Sequence, residues 1–261
     1  MDFTGKVAII TGAGTGIGQS TAVEFCKLGC SIVVCGRNED RLKETKGLCI
    51  ENGASDDSIL IIAGDIRLEK DRKQVLDETV AKFHKIDILV NNAGIAITGQ
   101  IQQISLAIFE ETMSTNVTAT IALTKLVIPY LIQSEGCVVN VSSVSGMKPY
   151  NLASCYSISK AAMDMFTKAL ALEMATKGVR VNSVNPGLTN TSLLRRNKSS
   201  EDEAQKLLSK AGQWHPLGRA AEPVEIARSI IFLASPLSSF TTGLLMKIDG
   251  GRELCAGKDT F

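Results

Sequence analysis

The sequence predicts an α/β protein with one seven-stranded, doubly wound parallel sheet and helices on both faces. Three observations carry this. Short β-branched runs alternate with longer helical patterns along all 261 residues, as βαβ units do. Most of these runs are apolar throughout rather than alternating, as strands covered on both faces should be. A glycine-rich turn follows the first run and opens a helix, the place where open α/β sheets bind ligands.

The strands are expected at Val7–Thr11, Ser31–Cys35, Ile59–Ala63, Ile86–Asn91, Cys137–Val141, Val179–Val184 and Leu244–Ile248. Helix-length segments lie between them, at Gly18–Leu28, Asp40–Glu51, Leu68–Phe83, Leu106–Ile132 and Ala153–Thr176. Right-handed crossovers would place the strands in one sheet. No low-complexity linker and no repeat of fixed period divides the chain, so residues 1–261 are expected to form one domain. Leu188–Gly218 breaks the rhythm, with polar residues, Trp214 and a His215-Pro216 pair but no clear strand. Loops of this length are usually functional, and a substrate lid over about 188–218 is expected, with a plain surface excursion as the alternative. Within it, Lys198–Lys210 mixes both charge signs and reads as a solvated helix or lid.

Composition narrows the function. A net charge of +1 provides no global field for nucleic acid or acidic lipid. Apolar residues make up 44%, which suits a packed core. Seven cysteines include no CxxC pair, and only His84 and His215 are histidines, so no metal site is expected. The odd number of thiols favours a reducing compartment. No apolar run reads as a membrane span of ~18–20 residues, and MDFTGKV does not read as a signal peptide. The cytoplasm is the expected location.

The turn spans Thr11 to Gly18. Glycines there let backbone approach a pyrophosphate, and the helix N-terminus offers free N–H groups. The spacing fails both G-x-G-x-x-G and the P-loop, and fits T-G-x-x-x-G-x-G through Thr11, Gly12, Gly16 and Gly18. About twenty residues on, a dinucleotide site usually carries an acid for the ribose 2′-hydroxyl. Gly36-Arg37-Asn38 stands there instead. An acid would repel a 2′-phosphate, whereas Arg37 supplies a planar cationic fork suited to it. Asn38 adds an amide contact and caps the next helix. The expected cofactor is therefore NADP(H); the alternative is a solvated arginine at a strand end.

A second cluster lies past mid-chain. Tyr156 and Lys160 are four apart, on one face of a helix. Ser143 precedes Tyr156 by 156 − 143 = 13 residues and follows a strand, at the carboxyl edge of the sheet. A phenol titrates near pH 10, and a nearby ammonium favours the phenolate. Such a phenol can give a proton to a carbonyl oxygen, or take one back. A serine hydroxyl can hold the same oxygen.

With these motifs in order the chain resembles the short-chain dehydrogenases/reductases of ordinary length, a Rossmann-fold family, and within it the carbonyl and 3-oxoacyl reductases. Also carrying the resemblance are Asp65, Asn91-Asn92-Ala93-Gly94, Asn116, Asn185-Pro186-Gly187 and Asp249-Gly250-Gly251. It implies that the turn binds the cofactor through Thr11, Gly12, Gly14, Thr15, Gly16, Ile17 and Gly18. Asp65 would bond the adenine amino group, with Ile66 beside the ring, and Asn91, Asn92, Ala93 and Gly94 would wall the adenine ribose. Asn116, at a helix kink, would hold a water in a relay to Lys160, and Lys160 would clasp the nicotinamide ribose. Pro186, Gly187 and Thr189, the last by its backbone, would border the nicotinamide ring, and Thr191 would touch its carboxamide or the phosphate side. Catalysis would fall to Asn116, Ser143, Tyr156 and Lys160.

The substrate pocket would be walled by Ile95, Ser145, Tyr150, Asn151, Leu188, Leu193 and the lid, beside Ser143 and Tyr156. Being mostly apolar, it suits a ketone, aldehyde or thioester-linked oxoacyl group more than a free sugar phosphate. Relatives form tetramers or dimers through the two long helices, so a homo-oligomer is expected. Ala161, Met165 and Leu172 recur at helical spacing, which equally suits packing on the sheet. The expected activity is hydride transfer between NADP(H) and a carbonyl or secondary alcohol. Alternatives are an NAD-dependent alcohol or steroid dehydrogenase, a non-catalytic dinucleotide sensor, and an epimerase or dehydratase of the longer relatives.

Overall fold

The computed structural model describes residues 1–196 and 201–255. The part of the expected lid at 197–200 lies outside the described residues. Strands β1 (Val7–Thr11), β2 (Ser31–Gly36), β3 (Ile59–Ala63), β4 (Ile88–Asn91), β5 (Cys137–Val141), β6 (Arg180–Pro186) and β7 (Leu245–Ile248) form one sheet of order β3-β2-β1-β4-β5-β6-β7. Every pairing is parallel. The order reverses between β3-β2-β1 and β4 onward, so the crevice beyond the carboxyl ends of β1 and β4 is the switch point at which such sheets bind ligands.

The helices are α1 (Gly16–Lys27), α2 (Glu39–Glu51), α3 (Glu69–Phe83), α4 (Leu106–Met113), α5 (Ala119–Gln133), α6 (Ser154–Met174), α7 (Ser192–Arg196), α8 (Glu201–Ser209) and α9 (Pro223–Ala234). Side chains alternate across the sheet even though both faces are buried. Ala8 and Ile10 of β1 join one apolar cluster with Phe25 of α1 and Ile230 of α9. Ile9 joins the other, with Leu123 of α5 and Leu170 of α6. Burial on both faces explains why the strands read as unbroken apolar runs.

Two expectations change. The fourth strand starts at Ile88 because Asp87 turns its carboxylate on the first strand's start, accepting from the Val7 N–H at 2.9 Å and Lys6 Nζ at 3.0 Å. The long helix expected at 106–132 is two helices joined by a π turn at Ser114–Thr118. Among its described residues the segment after β6 carries α7 and α8, and α8 falls within the stretch expected as a solvated helix or lid. By length and composition Leu106–Gln133 is apolar enough to cross a membrane, but Leu123, Val127 and Leu131 bury one face of it against the sheet.

Buried polar side chains tie strands to helices behind the site. Asn91 and Asn140, register partners on β4 and β5, are bonded at 2.9 Å. Asn91 also donates to Thr124 of α5 at 3.0 Å, and Asn140 to Thr167 of α6 at 2.9 Å. These buried bonds fix the docking of α5 and α6 on the sheet, with Asn91 Oδ1 left without a partner.

Candidate active site

One cleft of about 590 Å³ runs along the carboxyl ends of the strands, from Gly14 and Arg37 to Ser143, Tyr156 and Lys160. Its floor is the glycine turn. Gly12 and Gly16 have φ +65° and +59°, a left-handed backbone that favours glycine. A β-carbon on Gly12 would lie 2.9 Å from the Ala93 Cα. Thr15 precedes α1 in extended conformation but does not cap it; its hydroxyl pairs with Ser192 Oγ at 2.7 Å. The first N–H groups of α1 are thus left facing the cleft without a side-chain cap, as an anion site needs.

Beyond the turn, Arg37, Asn38 and Arg41 line one end of the cleft. Asn38 caps α2 by accepting the Arg41 N–H at 3.0 Å. That cap sets Arg41 in the first turn of α2, with its Cβ 3.2 Å from where a Gly14 β-carbon would stand. Asp65 and Ile66 line the opposite wall. Arg67 grips the Asp65 carboxylate, Nη2 at 2.6 Å and Nε at 2.9 Å. This pairing holds Asp65 below the usual carboxylate range.

At the other end Ser143 Oγ accepts the Ser145 N–H at 3.1 Å and faces the Pro186 carbonyl at 3.4 Å. Tyr156 and Lys160 occupy one face of α6, the ammonium 5.5 Å from the ring centre. Lys160 Nζ donates to the Val141 carbonyl at 2.8 Å. Burial pushes the Tyr156 phenol up to about 12, against a hydrogen bond with Ser143 that lowers it. Burial also pulls Lys160 down to about 8. The expected lowering of the phenol by the ammonium is therefore corrected: burial dominates, and the group that eases Tyr156 is Ser143.

Most of the residues expected at the site line this cleft, including Gly12, Gly14, Thr15, Gly16 and Ile17 of the turn and Asn92, Ala93 and Gly94 of the loop after β4. Pro186, Gly187, Thr189 and Thr191 line it, as do Ile95, Ser145, Tyr150, Asn151, Leu188 and Leu193. Four do not. Thr11 is buried, its hydroxyl accepting the N–H groups of Asn92 and Ala93 at 3.0 Å each, so it pins the turn to the loop after β4. Gly18 lets α1 approach the turn, since a β-carbon there would meet the Gly12 oxygen at 2.4 Å. Asn91 faces the interhelical network already described. Asn116, in the π turn, brackets the Ile95 backbone at 2.8 and 2.9 Å and donates to Ser159 Oγ at 3.0 Å. Only Gly94 separates it from Lys160: a Gly94 β-carbon would lie 3.3 Å from Asn116 Oδ1 and 3.7 Å from Lys160 Nζ.

Sequence reasoning missed Arg41, Arg67 and Arg252 as cleft residues, while Trp214 entered it only as part of the lid. Helical spacing from Arg37 would have flagged Arg41. Arg252 follows the turn that ends β7, at the same carboxyl edge. His215 is buried and ties the segment after α8 to the loop after β6: Nε2 accepts the Leu188 N–H at 3.1 Å, while Nδ1 contacts the Ala211 carbonyl at 3.0 Å. That pairing requires the neutral ring protonated on Nδ1.

The uncapped helix start, the glycine cradle and the long cleft fit a nicotinamide dinucleotide, and the fold and site define an oxidoreductase that uses one. Residues 6–202 match the family model described as short chain dehydrogenase. The chain belongs to the short-chain dehydrogenase/reductase family. It is 34% identical over 257 residues to the L-fucose dehydrogenase of Mus musculus, covering 98% of this chain and 91% of that one. It is 36% identical over 256 residues to the L-xylulose reductase of Caenorhabditis elegans, covering 96% of each. A short-chain dehydrogenase/reductase of unknown function from Caenorhabditis elegans, solved with cofactor, superposes with a TM-score of 0.93 at 36% identity, covering 98% and 97% of the two chains.

Proposed function

We propose that the protein is an NADP(H)-dependent reductase of a ketone or 3-oxoacyl group, working in reverse as a dehydrogenase of the secondary alcohol, with Tyr156 as acid and base. The observation that carries this reading is one continuous cleft with Arg37 and Arg41 at one end and Ser143, Tyr156 and Lys160 at the other. Arg37, Asn38 and Arg41 would hold a 2′-phosphate, and the start of α1 the pyrophosphate. Pro186, Gly187, Thr189 and Lys160 would border the nicotinamide and its ribose. A bound nicotinamide supplies or accepts hydride at the substrate carbon.

The rest of the chemistry belongs to the chain. Ser143 and Tyr156 hydroxyls converge to hold one substrate oxygen. With its pKa raised to about 12, Tyr156 is a phenol at neutral pH and thus carries the proton that carbonyl reduction consumes. Lys160 is anchored on Val141 and keeps a cation beside the ring. Asn116 fixes the Ile95 backbone and the Gly94 loop, and so the wall on which Lys160 rests. Leu188–Gly218 acts as a lid that excludes water during hydride transfer. One domain, a homo-oligomer and a cytoplasmic location complete the proposal. All seven cysteines are unpaired, which supports a reducing compartment.

The test is a panel of ketones, aldehydes, 3-oxoacyl thioesters, sugars and polyols read at 340 nm with NADPH and NADH in parallel. Sugars and polyols belong in it because of the names of the two relatives. Tyr156→Phe is expected to keep fold and cofactor binding and lose activity by about 10²–10⁴-fold. A fully active Tyr156→Phe would sink the mechanism, and dinucleotide binding without turnover of any substrate would favour the sensor reading.

A further inference from the structure

The substrate end of the cleft holds a cation that the proposed chemistry does not use. Arg252 follows β7 and is only 7% exposed, yet it lines the same cleft as Ser143 and Tyr156. Its guanidinium lies over two rings of that cleft, 4.4 Å from the centre of Tyr150 and 5.5 Å from that of Trp214. Nε is buried and has no hydrogen-bond partner. Among the described residues no carboxylate pairs with it. The acids of its own segment are engaged elsewhere: Asp249 accepts the N–H groups of Gly251 at 3.0 Å and Glu253 at 2.8 Å, and Glu253 pairs with Lys247.

A buried guanidinium without a counter-charge is costly to maintain, and aromatic faces offset only part of the cost. The arrangement is that of half an ion pair, set against two rings and lining the same cleft as Ser143 and Tyr156. An arginine fork pairs best with a planar or tetrahedral oxyanion. We propose that the substrate carries an anionic group, a carboxylate or a phosphate, which pairs with Arg252 while its carbonyl or hydroxyl carbon lies at Ser143 and Tyr156. This rests on the reading of the cleft as a substrate site. It also revises the expectation of a mostly apolar substrate pocket.

Trp214 is the only tryptophan in the chain, so its fluorescence reports on this cluster. The protein loaded with NADP⁺ is titrated with butanoate, hexanoate and octanoate, with the matching amides, and with the matching alkyl phosphates. For at least one chain length an anion is expected to bind at least about ten-fold tighter than its amide. The better anion tells carboxylate from phosphate. Arg252→Met is expected to bring anion and amide together, with the NADP⁺ affinity unchanged, and Arg252→Lys to retain part of the difference. Anions that bind no better than amides, or no saturable response to either anion, would overturn the proposal. A discrimination that survives in Arg252→Met would also overturn it. If that variant does not fold, by circular dichroism, the wild-type comparison decides alone. No turnover is needed, so the outcomes separate: anion preference without any carbonyl turnover defeats the oxidoreductase reading, and turnover of neutral ketones without anion preference defeats only the anion site.

Discussion

Lys160 Nζ stands 5.5 Å from the centre of the Tyr156 ring but gives its 2.8 Å hydrogen bond to the carbonyl of Val141. The ammonium is therefore held by the end of β5, and burial lowers its pKa to about 8. The ordinary value for lysine is 10.5, so between the two the unfolded chain binds more protons, and stability from this group rises with pH across that window. Lys160→Met is thus expected to raise the melting temperature at pH 7 while losing cofactor affinity and activity. The gain should shrink as pH rises from 7 towards 10. A gap that stays constant with pH would show that Lys160 is not strained by burial.

The two directions of the reaction should separate with pH. In the proposed mechanism reduction uses the Tyr156 phenol, which is the dominant form up to about pH 12. Alcohol oxidation needs the phenolate, so its kcat should climb between pH 7 and 10 while that of reduction stays level or falls. Ser143→Ala removes the hydrogen bond that lowers the phenol and should shift that climb to higher pH, lowering oxidation throughout the range. Identical profiles for both directions would argue against Tyr156 as the titrating group.

Cofactor choice should lie in two arginines. Arg37→Asp is expected to raise KM for NADPH by about ten- to a hundred-fold, the worth of one or two charge-assisted hydrogen bonds, and to leave NADH unharmed or improved. Arg41→Ala should give a smaller loss in the same direction. Equal kcat/KM with both cofactors in the unmodified protein would return both arginines to the solvated surface.

His215 sets an acid limit. Burial lowers its pKa below the ordinary 6.5. In the window between the two values the unfolded chain binds more protons, so stability falls as pH drops below 6.5. Arg252 opposes the charged ring and Asp249 favours it. Protonation removes the acceptor of the Leu188 N–H, so KM for substrate should rise as pH falls below 6.5 with the cofactor KM little changed. His215→Gln should hold KM level over the same range; a wild-type KM independent of pH there would refute the link.

Ala161, Met165 and Leu172 do not pack on the sheet: Met165 is 63% and Leu172 81% exposed, and Ala161 is exposed as well. With Leu106 and Ile158 they leave apolar positions of α4 and α6 in solvent, which supports the proposed homo-oligomer. Leu172→Glu with Met165→Glu is expected to reduce the sedimenting species towards the 27.9 kDa chain. A wild-type protein that sediments only as that monomer at micromolar concentration would end the proposal.

The sequence by itself determined the order and buried character of the strands, because residues covered on both faces must be apolar whatever their neighbours. It determined the glycine turn, since Gly12 and Gly16 occupy backbone that β-carbons resist, and it brought Tyr156 and Lys160 together, since helical geometry links positions four apart. These are local constraints. Only the tertiary structure decided what distant residues do to one another. Thr11 and Gly18 belong to the motif but hold the turn together rather than line the cleft, a distinction that spacing does not carry. The outward face of α6 depended on which side met the sheet. The phenol and the ammonium owe their shifted protonation to burial, a property of the packed whole. Arg252 reached Tyr150 and Trp214 only because the end of β7 and the segment after α8 converge on one cleft. Its charge acquires a meaning there because desolvation makes an unpaired cation demand a partner.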